Sequence, residues 1–133
     1  MVRRWHLGND IVDLTDPRHA GKSRDDRFLQ RVFSQGEQEE ILKAEHPDRA
    51  LWVRWAGKEA AFKTVSKSRG SAPTFVHPLF QVTIFRSFDF PEEEGGSSDP
   101  PMTRFGQVRY DEFSLTLRIE IDGSKNHSVT WTP

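Results

Sequence analysis

The 133-residue sequence contains no cysteine, a single tyrosine and two methionines. Disulfides, thiolate nucleophiles and cysteine-based zinc sites are therefore excluded, and a reducing cytoplasm is the natural expectation. No run of about 18 apolar residues occurs, and the opening Met-Val-Arg-Arg-Trp-His-Leu-Gly carries no apolar stretch, so neither a membrane span nor an export signal is expected. Internal repeats, heptads, a glycine-rich phosphate loop, an HExxH motif and a GxSxG elbow are all missing, which removes the enzyme classes those patterns mark. Hydrophobic residues are scarce at 35%, so the core must rely on 10 Phe and 4 Trp. One buried aromatic ring removes roughly 150–250 Å² from water. The length suits one domain spanning residues 1–133, small enough for self-association to help its stability.

The net charge of -1 hides an asymmetry: residues 1–70 carry +3 and residues 71–133 carry -4. Neither half is basic enough to wrap nucleic acid, and aromatic residues are not interleaved with the basic ones as a stacking platform, so no nucleic-acid partner is expected. The basic residues are nonetheless clustered, with Arg18, Lys22, Arg24, Arg27 and Arg31 in one stretch. That cluster suits either an acidic partner or a solvated helix face.

Along the chain, Leu7 to Leu14 reads as a short strand closed by the Asp16-Pro17 turn. Phe28, Leu29, Val32 and Phe33 predict a helix over Arg24 to Phe33. Ser34 with Glu37 fits a capping box for a second helix, Gln35 to Glu45. Asp48 is placed to cap a third helix, Arg49 to about Lys67, whose Leu51, Trp52, Trp55, Ala56, Phe62 and Val65 recur near a 3.6 period. After Gly70 to Pro73 the sequence turns β-branched and aromatic. Strands are expected at Phe80–Phe85, Phe113–Ile121 and His127–Trp131, and Pro91 to Pro101 reads as a mobile surface loop. The fold class that follows is α+β, with N-terminal helices packed on a mainly antiparallel sheet.

Two separated pieces carry the chemistry: Gly8-Asn9-Asp10 and Trp55-Ala56-Gly57-Lys58-Glu59-Ala60-Ala61-Phe62-Lys63. Glu59 and Lys63 share a helix face, while Lys58 is rotated by about 100°. One acid on a strand, one on a helix and nearby lysines make a donor set for Mg²⁺ and a diphosphate, since Mg²⁺ needs only one or two protein carboxylates. Spacing alone fits an ordinary Glu59–Lys63 surface pair equally well.

At these pieces the chain resembles the 4'-phosphopantetheinyl transferase family, whose members show a Gly-x-Asp strand followed by a helix with Trp/Phe-x-x-Lys-Glu-Ala-x-x-Lys. Arg31-Val32-Phe33-Ser34-x-x-Glu37 resembles a third motif lying between them. The resemblance covers about residues 7–67 and favours the short, holo-acyl-carrier-protein-synthase type, because Val12 stands where the larger members carry a second acid. It implies Mg²⁺-dependent transfer of the phosphopantetheine arm of coenzyme A to a serine of an apo acyl carrier protein, releasing adenosine 3',5'-bisphosphate. Asp10 and Glu59 would hold the metal, Lys63 and Lys58 would meet phosphate oxygens, and Arg49 and His127 would contact the cofactor's phosphates. The Arg18 to Arg31 stretch would dock the acidic carrier, whether of fatty acid biosynthesis or of polyketide or nonribosomal peptide synthesis, and a homotrimer is implied. The family's Ser-x-Ser-His segment near the C-terminus is missing. A noncatalytic coenzyme A or carrier-protein binding module with the same fold stays open as the alternative.

Overall fold

A computed structural model describes residues 5–85, 102–123 and 125–132. The element order is β1 (His6–Asp13), α1 (Asp26–Val32), α2 (Gln35–Lys43), α3 (Pro47–Arg69), β2 (Gln81–Ile84), β3 (Met102–Tyr110), β4 (Phe113–Asp122) and β5 (Lys125–Thr132). Short 3-10 turns at Pro17–His19, Lys22–Arg24 and His77–Leu79 complete it. The five strands form one antiparallel sheet in the order β1-β5-β4-β3-β2, so the first strand pairs with the last and forms an edge. The fold is α+β as expected. Among the described residues no helix is long and apolar enough to cross a membrane.

Local rules account for most of these elements. Ser34 and Glu37 form the capping box reciprocally at the start of α2, and Asp25 caps α1 by accepting from Phe28 N. Helix α3 starts two residues earlier than expected. Pro47 occupies its first turn, where a missing N–H costs nothing, and Asp48 is released from capping. The Asp48 carboxylate instead accepts from Gly21 N, Ser23 N and Ser23 Oγ, which ties the loop bearing the basic run to α3. Strand β3 was not anticipated. Gly106 interrupts its alternation, because any side chain there would overlap the Thr83 carbonyl oxygen of β2, and Phe105 faces outward. The loop expected at Pro91 to Pro101 lies outside the described residues.

Helix α3 covers one face of the sheet. Ala61 and Val65 meet Val82, Val108, Leu115, Leu117 and Ile119 there, and Leu51, Trp52 and Ala56 meet Val12, Leu29, Val32, Phe33 and Ile41 in a second cluster. Among the described residues no element covers the other face of the sheet. Trp5, Leu7, Ile11 and Phe105 are each at least half exposed on it or beside it.

Helix α3 and the sheet approach closely at Gly8. A Cβ there would overlap the Ala60 carbonyl oxygen and lie 2.6 Å from Thr64 Oγ1 and 2.8 Å from Thr64 N. Thr64 Oγ1 meanwhile lies 2.6 Å from Thr130 Oγ1 on β5, fastening the same turn of α3 to the sheet. Gly8→Ala is therefore expected to push β1 away from α3, at a cost of about 1–3 kcal/mol. A thermal melt of the variant checks this; unchanged melting would show that the junction has slack.

Candidate active site

The glycine contact fixes where Asp10 goes. Strand alternation puts Gly8, Asp10 and Val12 on the helix-facing side of β1, and the missing side chain at Gly8 lets α3 lie directly against the strand. Asp10 Oδ1 sits 3.5 Å from Lys63 Nζ, which also donates to the Asn9 carbonyl oxygen at 2.8 Å. Asp10 Oδ2 is buried without a hydrogen-bond partner. Burial pushes the Asp10 carboxyl up from its ordinary value, and attraction to Lys63 only partly offsets it. A buried carboxyl with one oxygen unpartnered is suited to receive a cation, which would favour its charged form.

Glu59 stands one helical turn before Lys63 on the same face of α3, half-buried, with Oε1 3.4 Å from His77 Nε2. The structure thus brings Asp10 to Lys63, and helical spacing puts Glu59 one turn before Lys63 on the same face. Among the described residues no three acids or histidines cluster as a metal cage. Two carboxylates, one with an orphaned buried oxygen, nevertheless fit Mg²⁺, which keeps much of its shell for water and phosphate oxygens.

Of the other residues expected at the site, Lys58 and Arg49 lie elsewhere and His127 stands beside Asp10 on the opposite face of the sheet. Lys58 is fully buried, and its ammonium donates to Glu37 Oε1 at 2.7 Å, to the His77 carbonyl at 2.9 Å and to the Phe80 carbonyl at 2.6 Å. All three of its protons are taken, so none is left for a phosphate. Glu37 completes the network by accepting from Ser34 N and Val82 N. Arg49 lines a cavity at the start of α3 with His19, Arg24, Asp48 and Trp52, ten residues before Glu59 and roughly 15 Å away along the axis. His127 pairs with Ile11 and Glu120 and alternates onto the face away from α3. Sequence reasoning also missed His77, which no spacing rule connects to Glu59.

In the basic run Arg18, Arg24, Arg27 and Arg31 are all exposed. Arg18 is already engaged: its guanidinium grips the Asp16 carboxylate, and that contact holds the Asp16 carboxyl down at about 2. The loop carrying Arg18 to Arg24 is held to α3 by Asp48 and by Trp52, whose indole donates to the His19 carbonyl at 3.0 Å and packs against the His19 ring.

A strand acid in contact with a helix lysine, with a second acid one helical turn before that lysine, is a donor set able to hold a divalent cation against a phosphate ester. The family model of the 4'-phosphopantetheinyl transferase superfamily matches residues 6–116, and the chain belongs to that family. A holo-[acyl-carrier-protein] synthase of Chlamydia caviae is 32% identical over 87 residues, covering 65% of this chain and 68% of the relative. That of Chlamydia felis is 34% identical over 65 residues, 49% of this chain and 53% of the relative. The chain thus matches about half to two thirds of the length of these curated relatives. Among solved structures, a Chronobacterium ammoniagenes ACPS–CoA complex superposes with a TM-score of 0.67 at 19% identity, over 97% of this chain and 96% of that one. The holo-[acyl-carrier-protein] synthase of Neisseria meningitidis gives 0.58 at 15% identity, over 96% and 97%. These two likenesses establish a shared fold.

Proposed function

We propose that this protein transfers the 4'-phosphopantetheine arm of coenzyme A to a serine of an apo acyl carrier protein, releasing adenosine 3',5'-bisphosphate, in the fatty acid pathway of the cytoplasm. The observation that carries the reading is the Asp10 carboxylate beside Lys63, one oxygen buried without a partner, at the junction where Gly8 lets β1 lie against the Ala60 to Thr64 turn of α3. Asp10 and Glu59 are the residues to hold Mg²⁺, which would neutralise charge on the diphosphate. Lys63 has about half its side chain in solvent and rests on the Asn9 carbonyl, so its ammonium is free to meet a phosphate oxygen as the leaving bisphosphate gains charge. In the reaction the serine oxygen forms a bond to phosphorus, the bond from phosphorus to the bisphosphate breaks, and the serine proton passes to a base. Incubation with coenzyme A, Mg²⁺ and apo carrier, followed by chromatography for adenosine 3',5'-bisphosphate, tests the reading. Carrier-dependent release is expected; coenzyme A binding without release would leave a noncatalytic module.

The acidic carrier docks, in this reading, on Arg24, Arg27 and Arg31, with Arg18 weakened by its Asp16 partner. Charge reversal at Arg24 and Arg27 is expected to raise the KM for the carrier and flatten its salt dependence while leaving coenzyme A binding unchanged, because exposed charges act chiefly on encounter. Equal losses for both substrates would assign these arginines to the cofactor or the fold. Trp5, Leu7, Ile11 and Phe105, exposed on the sheet face that no described element covers, support self-association, and sedimentation would read whether the assembly is the homotrimer that the family resemblance implies.

A further inference from the structure

We propose that His77 is a positioning residue that holds the Glu59 carboxylate in its working orientation, with the buried Lys58–Glu37 pair fixing His77 in turn. The inference rests on the reading of Asp10 and Glu59 as cation ligands. Glu59 Oε1 lies 3.4 Å from His77 Nε2, at the long end of hydrogen-bond range. An ionised carboxylate only accepts, so the proton of this contact belongs to Nε2. His77 is itself restrained from several directions. Its carbonyl oxygen accepts from Lys58 Nζ at 2.9 Å, and Lys58 is locked against Glu37. Its ring stacks on Phe75 at 4.0 Å and 19°, and Phe75 stacks on Phe62 of α3 at 4.4 Å and 11°. Pro78 then fixes the backbone entering the 3-10 turn.

The arrangement returns a loop to the helix that bears Glu59, one turn away through Phe62 and one residue away through Lys58. Glu59 has no other hydrogen-bond partner among the described residues, so its carboxylate would otherwise turn freely about its terminal torsion. A donor on one oxygen leaves the second oxygen and the remaining lone pair of the first for a cation, the role that partners of metal-bound carboxylates commonly fill. Mg²⁺ takes oxygen ligands, which assigns the imidazole to orientation and not to coordination.

The test is calorimetric titration of Mg²⁺ into the protein with coenzyme A present and no carrier, so that no turnover occurs. His77→Phe keeps the stack on Phe75 and removes the donor; His77→Gln restores an N–H. The Phe variant is expected to weaken Mg²⁺ binding about tenfold and the Gln variant to recover most of it, with both melting close to the parent. In transfer assays the apparent Mg²⁺ requirement rises while kcat at saturating Mg²⁺ changes little. In a Glu59→Gln background, His77→Phe is expected to add nothing, because the two residues act as one unit. The proposal is overturned if His77→Phe binds Mg²⁺ within about twofold of the parent while Glu59→Gln binds weakly. An undiminished His77→Phe effect in the Glu59→Gln background overturns it equally. If Glu59→Gln itself leaves Mg²⁺ affinity unchanged, the ligand assignment fails and the inference falls with it.

Discussion

Lys58→Met is expected to cost about 3–5 kcal/mol of folding stability, a large share of the roughly 5–15 kcal/mol available to a natural domain. Lys58 has no solvent exposure, and its ammonium is the donor for one carboxylate oxygen and two carbonyl oxygens. Burial lowers its pKa, with the Glu37 carboxylate acting against that. Removing the cation leaves the Glu37 charge enclosed, and the two carbonyls from His77 and Phe80 lose their partner. Lys58→Met with Glu37→Leu removes both charges and should recover part of the loss, because isosteric apolar replacements of a buried ion pair come close to neutral. Urea denaturation of the two single variants and the double variant measures the coupling directly. A Lys58→Met protein with the parental denaturation midpoint and a raised KM for coenzyme A would contradict the structure, placing this lysine on the phosphate after all.

Asp10→Asn is expected to lose transfer by roughly a hundredfold or more, while making the ligand-free protein more stable. The two effects share one cause. Burial raises the Asp10 pKa in the folded state, above an unfolded value of about 3.9. A raised carboxyl pKa means that the fold binds this proton more tightly than the unfolded chain, so stability is lost as pH rises from the unfolded value through the folded one. That cost is carried once the pH exceeds the folded-state value. Asparagine removes the charge and retains the shape, so the variant should melt above the parent at pH 7, with the difference shrinking as pH falls toward 4. Adding Mg²⁺ and coenzyme A should reverse the ranking, because only the parent gains stability from a ligand it binds well. A variant that melts below the parent without ligand would show that the Lys63 contact outweighs the burial of the charge.

Much of this architecture is legible in particular residues. Ser34 and Glu37 announce the start of α2, and the recurrence of Leu51, Trp52, Ala56 and Val65 announces α3 and its buried face. Asp10 and Lys63 meet across 53 positions of sequence, a contact that spacing cannot give but the paired motifs suggest. Lys58 could have been placed by its phase: it lies seven residues from both Leu51 and Val65, each fully buried, so the helix turns it inward with them. The chemistry of its side chain drew the expectation toward phosphate instead. His77 and β3 left less trace. The first is brought to Glu59 by a turn after α3, and the second hides its alternation behind Gly106 and an outward Phe105. Non-local pairing of this kind is decided by packing and not by local preference.

In the proposed reaction phosphopantetheine passes to the carrier at the Asp10, Glu59 and Lys63 site. Intact mass measurement of an apo acyl carrier protein after incubation with this protein, coenzyme A and Mg²⁺ tests this. A gain of one phosphopantetheine on the carrier serine is expected with the parent protein, and none above background over the same interval with folded Asp10→Asn or Glu59→Gln. An unmodified carrier in the presence of folded parent protein and bound coenzyme A, or full modification by either variant, would contradict it.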